Sequence, residues 1–232
     1  MADRTLPNPD RYASCPRDGK VLQYYHGIFD SVYVSLSPFI RPLNASLSPF
    51  DCDTYPDRCT VNKTCTPIGW QSVLAESNLS SLSELDIALR TQIGGLNPEH
   101  ANESHADELE RALKSTQTIS PAEGCHSELL HDIVLGLFKG LGHDWVWVGD
   151  EFCSERKLHW IDDLLSEKSE TIAGTCNVFT PDKTLLWTVH WDSHFSFFAG
   201  SKNSLKRVNI EDKLEGFFCG DETQLYWSLQ QK

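Results

Sequence analysis

The 232-residue chain has no apolar run approaching the ~20 residues a helix needs to cross a bilayer. Its opening, Met1-Ala-Asp-Arg-Thr-Leu-Pro-Asn-Pro-Asp, lacks the basic start and apolar core of an export signal. Together these absences predict a soluble, cytoplasmic protein. A Walker loop, a G-x-G-x-x-G fingerprint, a G-x-S-x-G elbow and an H-E-x-x-H pair are also missing. That removes the usual sequence marks of NTPases, dehydrogenases, esterases and zincins. No C-x-x-C pair occurs among the eight cysteines, which argues against a zinc ribbon. Without an export signal, the even cysteine count does not predict a disulfide framework.

Basic residues are scarce. Twenty Lys and Arg face 33 Asp and Glu, a net charge of -13, and no basic cluster is larger than Lys202, Lys206 and Arg207. Such a balance repels nucleic acid. It serves solubility, or it serves capture of a basic protein, since opposite fields speed encounter and fix orientation.

What is present is an aromatic and ionisable stretch, Leu185 to Phe198. Read as one strand with period two, it places Trp187, Val189, Trp191, Phe195 and Phe197 on one face. Thr188, His190, Asp192, His194 and Ser196 take the other. Two imidazoles and a carboxylate are costly to bury without partners, so that face is expected to be wet or to be a site. His190 and Asp192 are ~6.6 Å apart on a strand, and His190 and His194 are ~13 Å apart. Two of the three can meet at one zinc or iron, with His143, His159 or Glu151 completing the set. The plain alternative is a hydrogen-bonded polar face. Cys219, with His190 and Asp192, would make a nucleophilic Cys–His–Asp arrangement if the fold joined them. The same cysteine serves equally as apolar filler.

The remaining pattern predicts α+β, with a mainly antiparallel sheet in the C-terminal half covered by helices from the middle of the chain. A flexible N-terminal arm is expected over 1–20 and a single α+β domain over 21–232. Strands are read in Gly27–Ile40, Trp145–Val148, Thr175–Thr180, Leu185–Phe198, Phe217–Cys219 and Leu225–Ser228. Helices are read in Trp70–Glu76, after the capping box Ser81-Leu-Ser-Glu84, over Asp107–Ser115, after a second box Ser120-Pro-Ala-Glu123, and from Ser154 through Leu165. Residues 97–105 read as a polar linker.

Gly149 to Arg156 joins a strand to a helix in this reading. Asp150, Glu151 and Glu155 there, with Asp162 and Asp163 further on, are either ordinary carboxylates of a turn and helix start or functional groups at a sheet end. The blocks Pro67-Ile-Gly-Trp-Gln, Ser83-Glu-Leu-Asp-Ile-Ala-Leu-Arg90, Trp147-Val-Gly-Asp-Glu-Phe152, Lys157-Leu-His-Trp-Ile-Asp-Asp163 and His190-Trp-Asp-Ser-His-Phe195 resemble an uncharacterised bacterial family labelled YwbB-like, over residues 20–230. The resemblance implies a bacterial cytosolic setting and supplies no catalytic residues.

Two functions follow as expectations. The first is an acidic immunity or inhibitor protein that needs no cofactor and covers a basic toxin or similar partner. Its contacts would be Asp150, Glu151, Glu155, Asp162, Asp163, His190, Asp192 and His194. The second is a metal-dependent hydrolase or oxygenase. There His190 and Asp192 hold zinc or iron, and Glu151 acts as general base, or Cys219 as nucleophile.

Overall fold

The computed structural model describes residues 8–44, 56–166, 169, 171–172, 174 and 176–230. Its centre is a seven-stranded sheet, antiparallel at every pairing. The strands are β1 (Ser31–Leu36), β4 (Trp145–Asp150), β5 (Arg156–Trp160), β6 (Cys176–Phe179), β7 (Leu186–Val189), β8 (Phe195–Gly200) and β9 (Gly216–Phe218), in the order β5-β4-β6-β7-β8-β1-β9. A two-stranded ribbon of β2 (Phe39–Pro42) and β3 (Cys65–Ile68) stands beside it. The α+β class holds, with one addition: β1, from the N-terminal half, lies between β8 and β9.

Helices cover both faces of the sheet. On the first face α1 (Val21–Tyr24), α3 (Trp70–Glu76), α4 (Leu82–Gln92) and α5 (Glu103–Thr116) meet Val32, Val34, Phe179, Leu186, Phe195 and Phe197. On the second, α6 (Glu128–Gly140), α7 (Ile161–Leu164), α8 (Lys202–Arg207) and α9 (Ile210–Lys213) meet Tyr33, Val146, Val178, Trp187 and Phe198. A smaller cluster joins α2 (Arg58–Thr64) to the ribbon through Val61, Cys65 and Ile40. Among the described residues no helix is long and apolar enough to cross a membrane.

The local chemistry explains most boundaries. Ser81 caps α4 by accepting from the Glu84 N–H at 3.2 Å, and the Glu84 carboxylate accepts from the Ser80 N–H. Asn102 caps α5 through the His105 N–H, so that helix starts inside the expected linker. The box at Ser120–Glu123 does not open α6, which begins at Glu128. Ile119 is taken by a bridge to Ile40, and Gly124 has φ +65°, which no helix accommodates.

Three strand or helix expectations are corrected. The helix read from Ser154 is strand β5 followed by the short α7, because residues 156–160 pair with the outer edge of β4. Leu225–Ser228 is not a strand; a 3-10 turn forms at Trp227–Gln230. The long strand over Leu185–Phe198 is a hairpin, β7 and β8 joined by a turn at 190–194 and closed by the Ser193 N–H to the His190 carbonyl, 3.0 Å. Trp187 therefore shares a face with Phe198, its register partner, while Phe195 and Phe197 point the other way.

The expected arm is also packed where it is described. A 3-10 turn at Arg11–Ala13 buries Ala13 in the first core, and the Tyr25 hydroxyl donates to the Ser14 carbonyl at 2.9 Å. Residues 1–7 lie outside the described set. Cys15, Cys65, Cys125, Cys153, Cys176 and Cys219 form no disulfide.

Candidate functional site

The turn at 190–194 is held from below by one side chain. Arg90 sits on the buried stripe of α4, wholly inaccessible, with Asp86 one turn before it and equally buried. The Arg90 Nε–H donates to Asp86 at 2.9 Å. One terminal nitrogen donates to the Asp192 carbonyl at 2.8 Å and the other to the Ser193 hydroxyl at 3.1 Å. The guanidinium also lies over the rings of Tyr226 (4.8 Å) and Phe195 (5.5 Å). A buried charge is tolerable only when it is paired and its donors are used, and Arg90 meets both conditions.

The two histidines of the turn diverge. His194 points toward α4, is buried, and its Nδ1 has no partner. Burial takes its pKa down to about 4, with Asp86 opposing and Arg90 reinforcing the shift. His190 is engaged by its own turn. Its Nε2 accepts from the Trp191 indole at 2.7 Å, and the Asp192 N–H lies 3.2 Å from Nδ1. A neutral imidazole accepts through one nitrogen only, and the shorter contact makes Nε2 that acceptor. Burial, then the Arg90 charge, takes His190 down to about 4. Both rings are neutral at pH 7.

His190 borders a cavity of about 390 Å³. The cavity lies between the N-terminal segment (Ser14, Cys15, Arg17), the turn after β4 (Glu151, Phe152) and Trp191. Thus the structure brings together Glu151 and His190, two of the residues singled out in the sequence, across 39 positions. Arg17 stacks on Phe152 at 5.3 Å. Trp191 (58 % exposed) and Phe152 (48 %) form an aromatic rim. Burial pushes the Cys15 thiol up, only partly offset by a hydrogen bond to Thr188, so it is a neutral group at this wall.

The other expected residues are elsewhere. Asp150 spends its carboxylate on its own turn, accepting from the N–H groups of Phe152, Ser154 and Glu155 and from the Ser154 hydroxyl. Those donors hold it below the usual carboxylate range despite partial burial. Glu155 is exposed beyond that turn. Asp162 pairs with Lys139, and Asp163 is exposed beside it. These two follow Trp160, which pairs with Trp145 at the far end of β4, roughly 17 Å from Asp150 at the rise of a strand. The acidic set therefore does not form one face.

Cys219 hydrogen-bonds Val32, whereas Ser37, past the other end of β1, bonds the His194 carbonyl. About 16 Å of strand separates these positions, so no Cys219–His190–Asp192 arrangement is assembled. Nor do His190, Asp192 and His194 converge: among the described residues no group of three His, Cys, Asp or Glu side chains could hold a metal ion. His143 precedes β4 and His159 lies within β5, and neither lines the cavity.

The sequence reading missed Asp86, Arg90, Cys15 and Arg17. For the first two a signal existed, since Asp86 and Arg90 fall at i, i+4 within the stripe of Leu82, Leu85 and Leu89, where an ion pair must be buried. A second buried pair, His126 and His131, flanks Trp187 on the opposite face, with ring centroids 3.8 and 5.7 Å from the indole. The His126 Nε2–H donates to the Cys176 carbonyl at 2.9 Å. Burial takes His126 down to about 3 and His131 to about 4.

The segment before α6 supports the turn from its other side. The Gly124 N–H donates to the Ser193 carbonyl, and a Cβ at Gly124 would stand 2.5 Å from the Trp191 carbonyl oxygen. Gly124→Ala is expected to cost about 2 kcal/mol or more, from left-handed strain plus this clash. Urea denaturation of the variant checks it; a loss of a few tenths would mean that the turn moves aside freely.

The family model described as "Protein of unknown function (DUF2711)" matches residues 17–229, and the chain belongs to that family. The match agrees with the resemblance to an uncharacterised family without carrying the YwbB-like label. No curated protein and no solved structure matches the chain.

Proposed function

We propose that this DUF2711 protein binds a small polar molecule in the cavity beneath Trp191, against the neutral ring of His190, and exchanges a proton with it through Glu151. The observation that carries the reading is the convergence of those two side chains on one concavity. Its volume falls within the ~300–1,000 Å³ usual for small-molecule sites. Aromatic walls with a few converging polar groups are the common make-up of such sites. Glu151 would take the proton. His190, neutral at pH 7, would form the wall beside the molecule, its ring fixed by the Trp191 indole and the Arg17 backbone. Arg17, stacked on Phe152, adds a positive charge to the same wall. A cytoplasmic setting suits the unpaired thiol at Cys15.

The test uses the rim residue as its reporter. A library of small polar molecules of ~10–20 heavy atoms, in the range that small pockets enclose, is screened by Trp191 fluorescence and by NMR. Hits are expected to lose tenfold or more in affinity in Glu151→Gln and His190→Ala, with folding unchanged by circular dichroism. Hits that bind both variants as well as the parent would remove the reading, as would a library without a single hit at these residues.

One observation favours a second reading, capture of a basic protein. Along α5, Glu103, Asp107 and Glu110, the last paired with Lys114, are exposed on one side of an open groove of about 810 Å³ floored by Ala106, Leu113 and Ile119. This stripe, rather than the residues expected from sequence, would be the contact. A Lys-rich amphipathic peptide is expected to bind the parent at low salt and to lose affinity tenfold when the three carboxylates become amides. Equal binding by the parent and the triple variant would exclude the groove.

A further inference from the structure

At the outer margin of the sheet, β5 pairs with β4 on one side and, among the described residues, with nothing on the other. The Ile161 N–H bonds the Asp144 carbonyl and the Asp150 N–H bonds the Glu155 carbonyl. Antiparallel bonding alternates along a strand, so residues 155, 157, 159 and 161 spend their backbone groups on β4. Arg156, Leu158 and Trp160 then aim their N–H and C=O groups outward. Their side chains share the sheet face of Trp145 and Trp147, their register partners being Gly149, Trp147 and Trp145. That corner is greasy: Trp145, Leu158 and Trp160 are each 39–48 % exposed, and the two indoles stack with centroids 6.2 Å apart. A bare strand edge next to exposed aromatics invites another strand.

We infer that β5 pairs antiparallel with β5 of a second copy, about a two-fold axis at Leu158, joining the two sheets into one of fourteen strands. The sequence is self-complementary in this register. Leu158 meets Leu158, and Trp160 of each copy meets the aliphatic stem of Arg156 of the other, whose guanidinium stays over Trp147 and Phe179 of its own chain. The outward backbone groups of 156, 158 and 160 fall opposite those of 160, 158 and 156, which is the requirement for a bonded ladder. Charge agrees as well. Arg156 is engaged by Asp10 and Asp162 by Lys139 of the same chain, so the charges left for a partner are Lys157 at one end of the run and Asp163 just past the other, and antiparallel pairing sets the basic end of each copy toward the acidic end of the other. Lys157 meets His159, which burial and its own Lys157 hold below the usual imidazole range and therefore neutral. An acidic partner protein would find only Lys157 here, since Arg156 already faces Asp10 and Tyr12 of its own chain, and a basic one would be repelled by it. A second copy satisfies both halves of the pattern.

Sedimentation equilibrium of the whole chain over ~1–300 µM tests the inference, since a contact smaller than the standard ~800 Å² per partner gives a dimer in the micromolar range. The expected result is a monomer–dimer equilibrium. Leu158→Pro deletes one outward N–H and leaves every β4 bond intact, so it is expected to yield a folded monomer. Lys157→Glu tests the charge pattern independently and is expected to weaken the dimer at least tenfold; it decides the question if the proline variant unfolds. A parent that is monomeric at every concentration would overturn the inference. So would a dimer that survives both substitutions, because its interface would lie elsewhere.

Discussion

Replacing Arg90 with methionine is expected to destabilise the protein by about 3–5 kcal/mol, the range for removing one partner of a buried ion pair. Methionine retains much of the apolar stem but leaves Asp86 charged, inaccessible and without its donor. One of that carboxylate's oxygens already lacks a partner. The carbonyl of Asp192 and the hydroxyl of Ser193 lose their donors in the same step. The double variant Asp86→Leu/Arg90→Met removes both charges and is expected to recover much of the loss, as apolar replacements of buried pairs often do. Arg90→Met alone should also alter Trp191 fluorescence, because the turn that carries the indole is no longer gripped from α4. Urea denaturation of the three proteins measures the first effect. A single variant within 1 kcal/mol of the parent would show that the pair contributes nothing to the fold.

The second large effect is a loss of stability in mild acid. His126, His131, His190 and His194 are all buried, and all have pKa values of about 3 or 4 in the folded chain. In the unfolded chain each titrates near 6.5. Between those values the unfolded state binds protons that the folded state refuses, so stability falls as pH falls. The contribution is complete above ~6.5 and lost progressively toward pH 4, at about 1.4 kcal/mol per pH unit for each histidine. Summed, the loss reaches on the order of 3 kcal/mol per residue, comparable in total with the ~5–15 kcal/mol that holds a typical domain together. The protein is therefore expected to unfold between pH 6 and 4, above the range in which ordinary carboxylates protonate. His131→Met should reduce the slope by one proton's worth. Denaturation midpoints at pH 7.5, 6.0 and 5.0 test this; a flat profile would mean that the four rings are charged or solvated in the folded state.

Periodicity conveyed much of this architecture, and its failures have identifiable causes. The β6–β7 hairpin was legible because Pro181-Asp-Lys-Thr is ordinary turn chemistry. The β7–β8 reversal was not, because His190-Trp-Asp-Ser-His194 contains neither glycine nor proline and both flanking strands alternate. A period-two reading runs straight through such a turn and assigns Trp187 and Phe197 to one face. The spacing of Leu158, Ile161, Leu164 and Leu165 predicts a helix where β5 stands; pairing with β4 overrides that local preference. At the site, His190 and Glu151 stood out by residue type, but their meeting depends on the packing of the N-terminal segment, whose polar, proline-rich composition suggests solvent. Arg90 was hidden in a different way. Charges on an amphipathic helix usually face water, and only burial shows that this one does not.

That packed segment has a practical corollary. Ser14 through Arg17 form one side of the chamber under Trp191 and are tied to the middle of the sheet, Cys15 by a hydrogen bond to Thr188 of β7 and the preceding turn by the burial of Ala13 in the first core. Proteolytic clipping after Arg17, or a bulky fusion crowding this stretch, would unroof the chamber and uncover the part of the first core that Ala13 closes. Such a preparation could keep the seven-stranded sheet and still have lost the chamber proposed to bind.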